Sequence, residues 1–444
     1  MRPGIAAFIL ATLLVLGAAE ALVLGADFEA GRYLQGTAAI ANPAVYGGLT
    51  LPRAALRDPR VLVVFGTSEQ LYAGGLPYNA ANAFAGSPTG FSVYTVSANG
   101  IGALIFLESL AALGDHLRDK KVVLFADQEY LSTPVGMPPV LYANKFSPEI
   151  ADMFIFDSPI SLDLREAGAG RLLAYPRTLD NYPLLRTAAA SLADGSLARL
   201  AIYYAISPLG RIESAALRVK DASNTLKLIA NHPEWPTDQS VKHSGLDWDA
   251  MLRDGSRLAA ERGQSNPFGF WPAGYHAVLP TAEYLADFQR YCQGQSNREG
   301  TVLPPPAVWQ QGMLASAGWR DLSLALRVAN ELGAEPLVIT PPMPGLYYNY
   351  DQYSASVRAS FYDKEQQVAA SANAPVLTLR QFDEDRYFLS EPISHPSPRG
   401  WVLIDRALDL FWHSADIGSI DTTLDTLTAE QPSPGLPPPA QYCH

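Results

Sequence analysis

The sequence predicts an α/β fold built around a parallel β-sheet. Short runs of apolar residues, the first at 61–65, alternate with helical segments of ten or more residues near both ends of the chain. Strands separated in this way are joined by crossovers, which produce a parallel sheet. A stretch rich in Ala, Leu and aromatic residues, 128–315, divides the strands into two groups. We expect this stretch to form a mostly helical insertion, or lid, over the carboxyl edge of the sheet.

The predicted elements follow one another in an orderly way along the chain. They are strands at 61–65, 91–97 and 121–126, with a helix at 101–116; helices at 182–192 and 280–290 in the insertion; and strands at 335–340 and 375–379, with helices at 319–332, 351–371 and 398–413. The expected domains are a membrane segment (1–26), an unassigned connecting segment (27–59), an α/β domain (60–127 and 316–413), the helical insertion (128–315) and an irregular, mobile Pro-rich tail (414–444).

Residues 4–26 form an almost wholly apolar run in which Glu20 is the single charge, and Arg2 precedes it. This pattern predicts a membrane-targeting segment with its N-terminus in the cytoplasm, so the rest of the chain lies outside it, in the periplasm or at the cell surface. The run is long enough to span a bilayer. A retained single-pass anchor and a signal peptide cleaved near Ala19-Glu20-Ala21 both fit, and we favour the anchor.

Composition excludes several functions. The chain has 444 residues, is 48% hydrophobic and carries a net charge of −12 without any Lys/Arg-rich run, which argues against nucleic acid as a partner. No spaced cluster of His and Cys suggests a metal site, and no metal or organic cofactor is expected. The two cysteines, Cys292 and Cys443, either pair in an oxidising compartment, which would tie down the tail, or remain free thiols.

Ser68 is the candidate nucleophile, because it lies two residues beyond Gly66, where the first strand ends. Ligands of open α/β sheets bind just beyond the carboxyl ends of the strands. The alternative is a structural role as a helix N-cap, since Ser followed by an acidic residue such as Glu69 is common at helix starts. The block is not the G-x-S-x-G elbow of α/β-hydrolases, because Gln70 occupies the last position.

His395 is the candidate general base, because a serine hydroxyl needs a base and His is the commonest. It lies in a Pro-containing loop ahead of the last helix, a setting that the other histidines lack, although a buried structural His is the alternative. A base of this kind is usually held by a carboxylate, and Glu391 is the nearest. Asn99 and Gly100, after the second strand, are candidate oxyanion donors together with the backbone N–H groups at Ser68 and just after it; the alternative for Asn99 and Gly100 is a plain turn.

Several motifs in this order resemble the SGNH/GDSL hydrolase superfamily and, within it, the DltD family of D-alanyl transfer proteins. The motifs are the N-terminal anchor, Gly66-Thr67-Ser68-Glu69, Lys120–Ala126, Asn144–Glu149, Trp319–Leu322, Pro336–Pro342, Tyr347–Tyr350 and His395-x-Ser397-x-Arg399-Gly400-Trp401. The similarity spans about residues 5–410. It implies a three-layer SGNH-hydrolase-like α/β fold, a serine-dependent acyltransferase or esterase, a D-alanyl carrier, a membrane-bound O-acyltransferase as partner, and an envelope polymer such as teichoic acid or a polysaccharide as substrate.

One departure from the family pattern affects the site. The family has an Asp three residues before the His, whereas this chain has Pro392 there and its carboxylate one residue earlier, at Glu391. The longer side chain could still reach His395, or the site could be a dyad or a weakened enzyme. Two rival functions therefore stay open: an esterase or transferase for polysaccharide O-acetyl groups, and a non-catalytic scaffold that binds an acyl carrier or polymer.

Overall fold

The computed structural model describes residues 3–38, 48–70, 78–126, 128–237, 244–263, 268–271, 305–350, 353–391 and 394–433. Every structural statement below concerns these residues. Both cysteines, the helix predicted at 280–290 and the end of the Pro-rich tail lie outside them, so the predictions about those segments stay predictions.

The predicted parallel sheet is confirmed. Its five strands are β1 (Val61–Gly66), β2 (Ser92–Ser97), β3 (Lys121–Phe125), β4 (Glu335–Ile339) and β5 (Val376–Leu377). Their order is β2-β1-β3-β4-β5, and every neighbouring pair is parallel. Because the strands are parallel, the segments that follow β1, β2 and β3 all leave the same edge of the sheet.

The helices account for most of the remaining described chain. They are α1 (Pro3–Arg32), α2 (Leu34–Ala38), α3 (Thr50–Arg57), α4 (Ala80–Ala83), α5 (Ala103–Leu113), α6 (Gln128–Ser132), α7 (Pro139–Lys145), α8 (Pro148–Asp152), α9 (Leu162–Leu172), α10 (Pro176–Leu179), α11 (Pro183–Asp194), α12 (Leu197–Ala230), α13 (Trp248–Gly263), α14 (Pro306–Leu314), α15 (Ala317–Glu331), α16 (Gly345–Tyr350), α17 (Ala355–Ser371), α18 (Pro398–Trp412) and α19 (Ile417–Glu430). Helices α6 to α14 lie between β3 and β4, as expected of a helical insertion.

Helices cover both faces of the sheet, which gives three layers. Alternate strand side chains point to opposite faces. Phe65 and Val122 pack in one apolar cluster with α5, α15 and α17, whereas Val64 and Val123 pack in another with α18, α13 and α19. The strands are buried on both faces, which explains why their sequences read as continuous apolar runs rather than as alternating patterns.

The N-terminal helix continues beyond the predicted membrane segment, to Arg32. Its stretch Ala7–Arg32 is long and apolar enough to cross a membrane, with a mean hydropathy of 2.4, and 6% of its most apolar window is buried. The C-terminal end of α1 packs on the insertion: Val23 and Ala26 are buried with Ala222 of α12. The connecting segment that the sequence left unassigned contains α2 and α3.

The expectation that the tail 414–444 is irregular is wrong for α19. Asp416 caps this helix by accepting a hydrogen bond from the Ser419 N–H. Ile420, Leu424 and Leu427 follow at helical spacing and are buried in the cluster that contains α18. The composition of the tail, rich in Ser, Thr and Pro, suggested an irregular segment, although the sequence contains the capping residue Asp416 followed by an amphipathic pattern.

Candidate active site

Ser68 lies where β1 turns away from the sheet. Residues 68–70 form a single 3₁₀ turn directly after the strand, and Ser68 is half-buried. The turn folds Gln70 back over the strand end, where a Cβ on Gly66 would lie 2.5 Å from the Gln70 Cγ. A larger residue at this point would displace the Gln70 side chain, and the tight turn presents the Ser68 hydroxyl at the carboxyl edge of the sheet.

The structure brings three of the predicted site residues together. The Ser68 Oγ lies 2.7 Å from the His395 Nε2. The other ring nitrogen, Nδ1, lies 3.1 Å from the Glu391 Oε1. Glu391 reaches the imidazole although it stands four residues before it, because the same oxygen accepts the backbone N–H groups of Ser394 (2.8 Å) and His395 (3.0 Å). These contacts hold the carboxylate against the backbone of Ser394 and His395, so the longer side chain reaches the imidazole from one position earlier than the Asp of the resembling family.

The His395 loop is not part of a β-strand, and hydrogen bonds of its backbone and side chains hold it in place. Leu389 and Pro396 form an isolated antiparallel bridge. The His395 carbonyl accepts hydrogen bonds from both the N–H (2.9 Å) and the hydroxyl (3.0 Å) of Ser390. The backbone on either side of the imidazole is thus fixed, while the ring faces Ser68.

The residues after His395 join this loop to α18. The Ser397 hydroxyl caps the helix by accepting the N–H groups of Arg399 (3.1 Å) and Gly400 (3.3 Å). Arg399, 1% exposed, pairs with Asp385 at 2.7 Å. Gly400 packs so closely on the Phe388 carbonyl that a side chain would collide with it. This block therefore sets the geometry of the loop.

A second contact joins the two loops and was not predicted from the sequence. The Ser394 hydroxyl donates a hydrogen bond of 2.7 Å to the Glu69 Oε1, and both side chains are 1% exposed. Two adjacent pairs, Ser68 with His395 and Glu69 with Ser394, thus hold the loops against each other. The adjacency of Glu69 to the candidate nucleophile was the available signal, but it did not show in which direction the carboxylate points.

Buried carboxylates shape the electrostatics around the imidazole. Burial by itself would lower the pKa of His395, but the hydrogen bond to Glu391 and the charges of Glu391, Glu69 and Glu129 outweigh it and raise that pKa above its ordinary 6.5. Burial raises the pKa of the Glu69 carboxyl, although the charge of His395 and the Ser394 hydrogen bond oppose this. The site thus stabilises the imidazolium form of His395.

Asn99 and Gly100 lie at the neighbouring strand end, and within the described part of the chain no hydrogen bond joins either of them to Ser68. Gly66 is paired with Ser97, so Ser68 and Asn99 each follow the paired residues by two positions. Gly100 has φ of +71°, a conformation that suits glycine, and a Cβ there would lie 3.1 Å from the Tyr130 Oη. Asn99 is exposed. Their placement permits both the turn role and the donor role.

The third expected oxyanion donor is already engaged, because the Ser68 N–H donates to the Thr67 Oγ1. Among the described residues, no group of three His, Cys, Asp or Glu side chains is arranged to hold a metal ion.

Comparison with known proteins agrees with the resemblance read from the motifs. A sequence profile of the family described as "DltD protein" matches residues 39–413. The chain belongs to the DltD family. A curated relative, "Protein DltD" of Bacillus subtilis (strain 168), is 23% identical over 392 residues, which cover 88% of this chain and 92% of the relative.

The DltD family match has informative limits. It includes all five strands, the insertion, Ser68, Glu391 and His395, and it leaves out α1, α2 and α19. The contacts described above therefore lie inside the part of the chain that is common to the DltD family. The placement of the carboxylate at Glu391 is accommodated within that shared fold.

Proposed function

We propose that this DltD-family chain is a serine-dependent acyltransferase or esterase of SGNH type, with Ser68 as nucleophile, His395 as general base and Glu391 as the carboxylate that orients His395. One observation carries the proposal: the Ser68 Oγ lies 2.7 Å from the His395 Nε2, while Glu391 lies 3.1 Å from the opposite ring nitrogen. Nucleophile, base and orienting acid in hydrogen-bond contact form the arrangement that activates a serine.

The reaction then has two stages. As the Ser68 Oγ attacks the acyl carbonyl carbon, its proton moves to the His395 Nε2, and the carbonyl oxygen becomes an oxyanion. The bond to the leaving group breaks, that group takes the proton from His395, and the acyl group remains on Ser68 as an ester. An acceptor hydroxyl, or water, next gives its proton to His395 Nε2 and attacks the ester carbonyl carbon. The bond between that carbon and the Ser68 Oγ then breaks, the Oγ takes the proton back from His395, and the acylated product leaves.

The oxyanion donors proposed here are the Gly100 N–H and the Asn99 amide. Both follow the strand end beside Ser68. The Ser68 N–H would contribute only after it left the Thr67 hydroxyl, to which it donates. Donors aimed at the developing negative charge supply a large share of catalysis in acyl transfer.

The proposed acyl group is D-alanyl, and the proposed acceptor is a cell-envelope polymer. Membership of the DltD family supports both. The same membership supports an acyl carrier and a membrane-bound O-acyltransferase as partners. We further propose that α1 is a retained single-pass anchor and that the sheet domain lies outside the cytoplasm, because Ala7–Arg32 has the length and hydropathy of a membrane span.

The two rival functions, an O-acetyl esterase and a non-catalytic scaffold, differ from the proposed function in the chemistry that they require. An O-acetyl esterase would use the same three residues and differ only in the acyl group. A non-catalytic scaffold was suggested by the missing Asp before His395, and the contact between Glu391 and His395 weakens that reason.

The test is mass spectrometry of the full-length protein after brief incubation with activated esters of D-alanine, L-alanine or acetate. The proposal expects an alanyl adduct on the peptide that contains Ser68, with D-alanine preferred. Predominant acetylation would favour the acetyl esterase, and no adduct with any ester would favour the scaffold. A Ser371→Ala variant is the matched control, since that exposed hydroxyl donates only within α17.

A further inference from the structure

The long helix α12 of the insertion exposes an apolar stripe that no described residue covers. Its side chains recur at intervals of three or four residues, as the members of one helical face do. They are Leu197, Ala201, Ala205, Leu209, Ile212 and Ala216, all of them exposed. Leu197, Leu209 and Ile212 keep 88%, 58% and 67% of their surface accessible, far more than large aliphatic residues usually do.

The opposite face of α12 is fixed against the protein, so the helix cannot turn its stripe inward. The Tyr203 hydroxyl donates to the Ile155 carbonyl at 2.8 Å, and Ser207 and Ser214 are buried. Gly210 packs directly on the Phe156 ring, where any side chain would collide. The stripe therefore points away from the body of the protein, and its exposure is built into the fold.

The stripe ends abruptly along the helix. Continued at the same spacing beyond Ala216, the same face carries Lys220, Ser223 and Lys227, all exposed and polar. The outward surface of this one helix, which contains Pro208 in its apolar half, thus changes from apolar to polar within one turn. The apolar part, from Leu197 to Ala216, is roughly 29 Å long at 1.5 Å per residue.

The change occurs where α12 meets α1. Val219, Ala222 and Leu226 of α12 pack with Val23 and Ala26 of α1. The two helices run in the same direction, because Gly36, beyond the end of α1, lies against Trp235, beyond the end of α12. From this contact, both helices extend their N-terminal, apolar and exposed halves towards the same side of the molecule.

We propose that the exposed stripe of α12 lies in the membrane interface, as a second point of membrane contact beside the anchor helix. The proposal rests on the proposed anchoring by α1. If α1 enters the bilayer at the point where it leaves α12, the part of α12 before Val219 faces the lipid and the part after it faces water. Helices with one apolar face and flanking charges lie in the interface with that face among the acyl chains.

The charged residues near the stripe fit this orientation. Arg199, Arg211 and Glu213 lie off the stripe, so none of them points directly into the acyl chains. Arg211 hydrogen-bonds the Phe156 carbonyl at 3.2 Å and lies 3.5 Å from Asp157. Long basic side chains at the border of such a face keep their charge among the headgroups. The arrangement would hold the insertion against the bilayer and fix the height of the domain above it.

The test uses the full-length protein reconstituted into phosphatidylcholine/phosphatidylglycerol liposomes. A fluorescent label is placed on Leu209→Cys or Ile212→Cys, with Ser223→Cys and Lys227→Cys as controls on the same face, in a Cys292→Ser/Cys443→Ser background. Quenching by lipids with a spin label on the acyl chain should be severalfold stronger at 209 and 212 than at 223 and 227. Equal quenching at the four positions, with 209 and 212 open to aqueous iodide, would overturn the proposal.

A label at Leu13→Cys distinguishes failure of the proposal from failure of the anchor. Quenching at 13 without quenching at 209 and 212 would mean that α1 is anchored and that another protein, not lipid, covers the stripe. Absence of quenching at all three positions would reject both ideas. A second measurement needs no substitution: photolabelling by a diazirine-bearing acyl chain should modify peptides from 197–216 of the wild-type protein and spare those from 220–230.

Discussion

The two loops that meet at the site are built in different ways. The Ser68 loop leaves a central strand that is hydrogen-bonded on both sides, so the sheet fixes where its hydroxyl emerges. In its described residues the His395 loop has one isolated bridge, and contacts of Glu391, Ser390 and Ser397 hold them in place. A nucleophile placed by the sheet should tolerate changes around it, whereas a base placed by side chains should move when any of those side chains is altered.

Removal of either partner of the central pair should have the largest effect. Ser68→Ala and His395→Ala should each lower kcat/KM by roughly 10⁴-fold or more, because the residues of such a site act as a unit. Thermal unfolding should distinguish them: Ser68→Ala should leave Tm nearly unchanged, and His395→Ala should lower it, since His395 is 7% exposed and bonded to its loop. Equal Tm values for the two variants would contradict the difference that we infer between the two loops.

Changes at Glu391 should come next. Glu391→Gln keeps an oxygen for the Ser394 and His395 N–H groups but loses the charge that stabilises the imidazolium, so kcat/KM should fall by roughly 10²–10⁴-fold. Glu391→Asp keeps the charge but withdraws it by one methylene from a contact of 3.1 Å, and it should lie between Gln and wild type. Activity of the Gln variant within a few fold of wild type would indicate a Ser–His dyad.

The pH dependence should follow from the raised pKa of His395. The base must be neutral, so kcat/KM should rise with pH through a midpoint above 6.5. Loss of the carboxylate in Glu391→Gln removes the main cause that raises the pKa of His395, so the midpoint should move to lower pH. A midpoint that stays in place would mean that another group titrates.

The same shift has a consequence for stability with a definite sign. The pKa of His395 is higher in the folded protein than in the unfolded chain, so its pair with Glu391 stabilises the fold. This stabilisation is fully present at pH values below the pKa of His395 in the unfolded chain, and it is lost as the pH rises through the pKa of His395 in the folded protein.

The second link between the loops should have a smaller, coupled effect. Ser394→Ala and Glu69→Gln each disturb a buried hydrogen bond, which should lower the free energy of unfolding by about 1–3 kcal/mol. Because both changes affect the same contact, the double variant should lose less than the sum. Full additivity in a double-mutant cycle, measured by urea unfolding, would show that this contact does not join the loops energetically.

Loss of a helix cap should have the smallest effect on stability, and two caps in the chain can be compared. Ser397→Ala, at the start of α18, and Asp416→Ala, at the start of α19, should each lower the free energy of unfolding by about 1 kcal/mol. Only Ser397→Ala should also lower kcat, because Ser397 lies two residues from His395. A similar loss of activity in Asp416→Ala would mean that the effect is global.

The difference between the loops also explains how much the sequence could predict. The strands can be predicted from apolar runs, which are a local property of the sequence. The position of Ser68 follows from the general rule that sites in such sheets lie at the carboxyl edge. The reach of Glu391 and the contact between Glu69 and Ser394 depend on how a loop without regular structure curls, and no periodicity reports that. The contact of Thr50 could not be predicted from the sequence either, because its hydroxyl and N–H donate hydrogen bonds to Asp221, which is 171 positions away.

The contact between Ser68 and His395 should activate the serine. This can be measured by labelling the full-length protein with a fluorophosphonate probe, with wild type beside Ser68→Ala, His395→Ala and the control Ser371→Ala. We expect wild type and Ser371→Ala to be labelled, and labelling to be lost in the Ser68 and His395 variants. Labelling that survives in Ser68→Ala, or in His395→Ala at the wild-type rate, would contradict this expectation.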